Sequence, residues 1–294
     1  MGTDLLLGSV VGTVIDGVVD GVVDPLGLRF FVYGLLASIL AVGGGAVLGP
    51  VSVLRQEPYM AQGVGQSMVA GAAVGSMLSI PVPVAAFLAA VVAAGIMFVI
   101  NKTRFATPSG SVAIVSSVML SIGIAVISAD RERGVNVSNI LFGNILGVRA
   151  VDLVLLGVVV VLAIGFMLRN GRSALLAACN PQVAAVHGVQ VARLEAVRLV
   201  VMALVVAGSV QVVGVSLVVV ALVIPYSVVA PFTRSLRGLL LGSLGVGSGI
   251  GVVGMYFSYH ADLPSGPAIV LVAGMVYVGA KILDRGRTYR AVGS

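Results

Sequence analysis

Two glutamines four residues apart, Gln62 and Gln66, stand in an otherwise small-residue and apolar stretch. On a helix that spacing puts both amides on one face, one turn apart. Neutral amides hydrogen-bond well but are weak ligands for zinc or manganese, which favour imidazole and carboxylate. Two uses are open: contact with a solute moving along that face, or hydrogen bonds to a neighbouring helix. A second polar feature is the island 173–193, SALLAACNPQVAAVHGVQVAR, preceded by Arg169 and Arg172 and closed by Arg193. His260 and Asp262 lie together elsewhere, compatible with metal handover or with a plain docking loop. Asp16, Asp20 and Asp24 recur every four residues in DGVVDGVVD, compatible with a cation-attracting vestibule or a solvated amphipathic entry segment. Gly and Val are poor helix formers, so a helix there is not assured.

The missing chemistry is as informative. The sequence has no phosphate-cradling P-loop and no Ser-His-Asp, HExxH or CxxC pattern. The chain is therefore not expected to hydrolyse ATP, to be an enzyme or to bind a cofactor of its own. The apolar runs hold almost no ionisable side chain. Proton-coupled transporters and membrane-embedded enzymes need such groups within the membrane. A pore whose energy comes from another subunit does not.

The elements that position these residues are membrane spans. The 294 residues are 59% hydrophobic and 10% charged, against about 25% charged in soluble domains. Too little polar surface exists to cover a water-facing globule, and an all-α polytopic membrane protein follows. The formal net charge is +6, but the cations sit in short gaps between apolar runs, where they set orientation rather than bind nucleic acid. The single cysteine, Cys179, excludes an intrachain disulfide. No Lys or Arg precedes Arg29, so the charged start of a signal peptide is absent.

Spans are predicted over 30–54, 60–80, 82–100, 109–128, 151–168, 238–259 and 266–284. The run 194–232 is too long for one crossing. Lys102 with Arg104, the island's arginines, Arg234 with Arg237, and Lys281 onward mark cytoplasmic segments; the loops near 81 and 260–265 carry no Lys or Arg. An even number of crossings must join the island to 234–237, so the run divides near Ala207–Gly214. About nine crossings result, with the N-terminus outside; a re-entrant pair or one kinked helix gives eight. Residues 1–29 form an N-terminal extracytoplasmic segment, 30–284 the membrane domain and 285–294 a cytoplasmic tail. The glycines of 242–251 are too many for a rigid helix by propensity alone and suggest tight packing or bending.

Four pieces carry a resemblance: LFGNILGV (141–148), NPQVAAVHGV (180–189), VVGVSLVVVALVIPYSVVA (212–230) and DLPSGPAIVL (262–271). On these the chain resembles the permease subunit of the ABC importers that take up zinc, manganese or iron with a dedicated binding protein. The resemblance covers roughly 30–284. It implies a vitamin-B12-importer-like permease fold of about 8–9 helices in a bacterial plasma membrane. It also implies a homodimer with the pathway between the copies, two ATPases below that hydrolyse ATP, and a metal-binding protein above. The island becomes the coupling helix, with Asn180 where the family commonly has Asp, and Pro181, Gln182, Ala184, Ala185 and Gly188 at the motor contact. Gly214, Pro225, Asp262, Pro264, Ser265, Gly266 and Pro267 are motif positions. The family's Asp and His on the second span, in D-A-x-S-H, correspond to Gln62 and Gln66, with Gly65 in place of Ser. The alternatives are an ABC permease for a metal chelate or other small solute, motivated by those amides, and a non-transporting membrane scaffold. Which metal passes is left unassigned.

Overall fold

Close approach of small residues sets how this chain packs. The computed structural model describes residues 24–55, 57–102, 108–129, 147–233 and 235–292. Asp16 and Asp20, Arg104, most of LFGNILGV and Arg234 lie outside the described residues. A 3-10 turn, Asp24–Gly27, leads into α1 (Arg29–Leu54), followed by α2 (Pro58–Met77), α3 (Val82–Lys102) and α4 (Pro108–Ala129). Next come α5 (Ala150–Cys179), the short α6 (Pro181–Val186), α7 (Val191–Val213), α8 (Val215–Val229), α9 (Leu236–His260) and α10 (Ser265–Val292). Among the described residues, six helices are long and apolar enough to cross a membrane, and α8 is a shorter apolar helix. The predicted spans thus fall on helices. The chain is a multi-pass, all-helical membrane protein.

Two helices act as hubs. The first, α1, packs against α5, α7, α8 and α9, with α10 behind α8 and α9. The second, α2, packs against α3 and α4. Both α7 and α8 touch each hub and join the two halves.

Directions follow from specific contacts. Ser52 meets Met202, and Arg55 meets Glu195, so α7 runs antiparallel to α1. A Cβ on Gly45 would touch Ala221, and one on Gly49 would lie 2.3 Å from the carbonyl oxygen of Leu222, so α8 runs parallel to α1. The chain therefore reverses between α7 and α8. The reversal sits at Gly214, whose φ of 84° and ψ of 164° suit a residue without a Cβ. This is the division expected near Ala207–Gly214. Pro225 lies inside α8, where it removes one helix hydrogen bond.

Of the two readings of the glycine run, tight packing holds, and α9 is one unbroken helix. Tertiary packing overrides the propensity: Gly247 lies against Val42 and Ala46, and Gly251 against the backbone of Ser38. Ser38 Oγ donates to the Gly251 carbonyl at 3.3 Å. Past the expected tail boundary at 285, α10 continues to Val292.

A second close backbone seam joins α2 and α3. A Cβ on Gly71 would lie 2.5 Å from the carbonyl oxygen of Ala85 and 2.8 Å from Ala86 Cα. Backbone atoms cannot step aside. Gly71→Val is expected to cost at least the usual about 1–3 kcal/mol of overpacking. Thermal unfolding in detergent measures it, and an unchanged midpoint would contradict the seam.

Candidate functional site

The glutamine pair lies on α2, both side chains half-buried. At 1.5 Å per residue they stand about 6 and 12 Å from the start of the helix. One flank is fixed by Gly63, whose missing Cβ makes room for Met97 and Val112. The other is fixed by Gly65, which faces Val210 and Val215. The glycine at 65 thus lets the reversal at Gly214 press against α2. Between these flanks the amides look out from a face that the chain itself only half covers. Ala61, Val64 and Met68, on the opposite side, are buried in the core. The structure places the two amides side by side, where they can hydrogen-bond a solute or a facing helix. Among the described residues no three His, Cys, Asp or Glu side chains gather to hold a metal.

The island is two structures. Its first third continues α5, a helix of 30 residues, about 45 Å long and well beyond a hydrocarbon core of about 30 Å. Ala, Leu and Leu at 174–176 are strong helix formers, which explains the extension. Then the chain turns into α6. Asn180 caps it: its side-chain oxygen accepts from the backbone N–H of Gln182 at 3.0 Å and of Val183 at 3.1 Å. Asn and Asp cap helices about equally well, so Asn180 in place of Asp keeps the function of the position. Pro181 occupies the first turn, where its missing N–H costs nothing.

The far end closes just as regularly. Val189 N–H donates to the Ala184 carbonyl at 3.1 Å and Gly188 N–H to the Ala185 carbonyl at 3.0 Å, the Schellman arrangement. Gly188 has φ of 77°, and a Cβ there would meet nothing within 4 Å. The positive φ gives glycine a backbone reason to stand at this position. Ala184 is fully buried within the chain. What α6 turns outward is Gln182, Val183, Ala185 and Val186. Val186 is 87% exposed, an apolar side chain with no covering inside this chain. Sequence reasoning missed Val183 and Val186; the signal was an i, i+3 apolar pair inside a polar island.

A charged network was missed too. Arg55 Nη1 donates to Glu195 Oε1 at 2.7 Å, and Arg198 Nη2 to Glu57 Oε2 at 2.7 Å. Glu195 also lies 3.9 Å from Arg198. Arg198 is only 3% exposed, although it falls in the apolar run 194–232 that was expected to cross the membrane. The network ties the turn between α1 and α2 to the first turns of α7, directly after α6.

DLPSGP forms the turn between α9 and α10. Asp262 has φ of 50°, in the left-handed region that Asp tolerates better than most residues. Ser258 Oγ donates to the Leu263 carbonyl at 2.7 Å and closes the turn. Pro264 precedes α10; Ser265, Gly266 and Pro267 form its first turn. Pro267 is tolerated because N–H groups there have no helical acceptor. His260 Nδ1 lies 2.9 Å from the Tyr256 carbonyl within its own helix. The motif is thus explained by backbone conformation.

The model of the family described as ABC 3 transport family matches residues 28–284. The chain belongs to the ABC 3 transport family. Within that family's reach fall α1 to α9 and most of α10. The chain is 28% identical over 249 residues to the manganese transport system membrane protein MntC of Listeria innocua, covering 84% of this chain and 88% of the relative. It is 24% identical over 247 residues to the high-affinity zinc uptake system membrane protein ZnuB of Haemophilus influenzae, covering 83% and 92%. The fold resembles that of PsaBC from Streptococcus pneumoniae in complex with Fab, with a TM-score of 0.78 and 22% identity over 90% of this chain and 95% of that one. Membership in the ABC 3 family sets aside the scaffold reading. It also gives the capped, outward-facing α6 a context: a transport permease whose chain carries no nucleotide-binding loop.

Proposed function

We propose that this ABC 3 chain is the membrane permease of an ATP-driven importer for a divalent transition metal, manganese or zinc. The observation that carries the reading is α6. It is held rigid at both ends and presents Val183 and Val186 beyond the membrane, as a helix-in-groove contact with a cytoplasmic ATPase requires. A binding protein delivers the ion at the outer side, near the turn that holds Asp262. A second copy of the permease covers the half-buried glutamine face of α2, so that the pathway runs between two such faces. The relatives named for manganese and zinc support the choice of cargo.

The amides suit an ion in transit. They offer carbonyl oxygens to a partly hydrated cation without the strong grip of carboxylate and imidazole. Vesicles holding the permease, its ATPase and the binding protein are expected to take up manganese or zinc saturably when ATP reaches the ATPase side. No saturable uptake of manganese, zinc or iron overturns the reading. A second outcome tests the amides. Gln62→Asp with Gln66→His creates the stronger ligand pair, and metal retained by the purified permease is expected to rise at least about tenfold. Unchanged retention would place the two side chains away from the ion.

A further inference from the structure

The structure assigns a second binding site, for an anionic phospholipid, to the groove between the cytoplasmic ends of α5 and α9. It is independent of the cargo and of the motor contact. A cavity of about 820 Å³ is lined by Arg169, Arg172, Ser235 and Arg237 among others. All three arginines are exposed, and among the described residues none takes part in a salt bridge. Three guanidinium groups facing one hollow repel each other until an anion joins them, and their planar forks match phosphate oxygens.

A second cavity, of about 200 Å³, continues from the first; the two share Met167, Leu168, Arg237 and Leu240. Its other lining is apolar: Val47, Ile164, Leu241 and Leu244. Leu168 is 71% exposed and Leu241 69% exposed, so the crevice opens on the outer face of the bundle. Further along α5, Val154, Val158 and Val161 are exposed as well, so the apolar face continues up the membrane-spanning part of the helix.

Depth fits a headgroup. Arg169 lies about 28 Å along α5 from Ala150, close to one hydrocarbon thickness. α5 runs about 15 Å farther before α6 begins, so the arginines sit at the inner membrane surface, short of the ATPase contact. A basic hollow at that depth, continued by an apolar crevice that opens to lipid, accepts a phosphate headgroup below and an acyl chain above. A free phosphate uses the hollow alone and leaves the crevice unexplained.

The test uses the full-length chain in mixed phosphatidylglycerol and phosphatidylcholine micelles, with retained lipid read by native mass spectrometry. The wild type is expected to retain phosphatidylglycerol about tenfold over phosphatidylcholine, given the attraction of three cations. Arg169→Gln/Arg172→Gln/Arg237→Gln is expected to abolish the preference, and the corresponding triple Lys variant to keep most of it. Millimolar glycerol phosphate is expected not to displace the lipid. If the triple Gln variant does not fold, the single Arg237→Gln variant is expected to lower the preference severalfold. Equal retention of the two lipids by the wild type, an undiminished preference in the Gln variants, or displacement by glycerol phosphate would each overturn the proposal.

Discussion

Replacing Val186 by aspartate is expected to disconnect the permease from its ATPase. Val186 is 87% exposed, so the change costs the permease itself little. The Asn180 cap and the Gly188 closure remain, and α6 keeps its shape. If α6 docks into an apolar groove of the ATPase as proposed, the variant places a carboxylate where that groove receives valine. Central apolar anchors of this kind cost about 2 kcal/mol or more when lost, about thirtyfold in affinity. Co-purification of the ATPase and transport-linked ATP hydrolysis are both expected to fall at least that far, while the permease reaches the membrane at normal levels. Retained binding and hydrolysis would show that α6 is not the motor contact. Gly188→Val probes the same helix from within. With φ of 77°, a β-branched residue there costs about 1–3 kcal/mol of backbone strain. A smaller loss of coupling is expected, from a helix whose exposed face is unchanged.

The second large effect concerns Arg198. Arg198→Met removes the partner of Glu57, whose side chain is only 10% exposed. An unpaired carboxylate buried to that degree costs about 3–5 kcal/mol. Thermal unfolding in detergent is expected to show a destabilisation of that size. Adding Glu57→Gln is expected to restore much of the loss, because the stranded charge is gone. A single variant as stable as the wild type, or a double variant with no recovery, would contradict a buried pair. The network also ties α7, which follows α6 directly, to the turn that starts the glutamine helix α2. Weakened coupling in Arg198→Met at normal ATPase binding is the functional counterpart.

Much of the fold was legible in the residues, for physical reasons that differ from place to place. Apolar runs between cation-bearing gaps marked the spans, because a hydrocarbon core imposes length and polarity together. The division of 194–232 was legible from charge, since two cytoplasmic loops need an even number of crossings. Its position at Gly214 reflects a backbone conformation that favours glycine. Asn180-Pro181 and Gly188 bracket α6 through local capping chemistry. The ion pairs were not legible. Arg198 and Glu57 are 141 positions apart, and nothing local distinguishes a paired arginine from an orienting one. The glycines of α9 left tight packing and bending both open until Val42, Ala46 and Ser38 are seen lying against them. The roles of Ala184 and Gly188 also needed coordinates. Smallness alone does not say whether a residue makes room for a partner, for its own chain or for a positive φ.

The most direct test compares ATP-dependent metal uptake in vesicles holding the complete complex with wild-type permease and with Gln62→Leu/Gln66→Leu. If cargo passes along the glutamine face of α2, the wild type takes up manganese or zinc saturably. The variant falls by about tenfold or more while its ATPase still binds and hydrolyses ATP, because it has lost only groups that meet the passing ion. Equal saturable uptake by the two would contradict a pathway along that face.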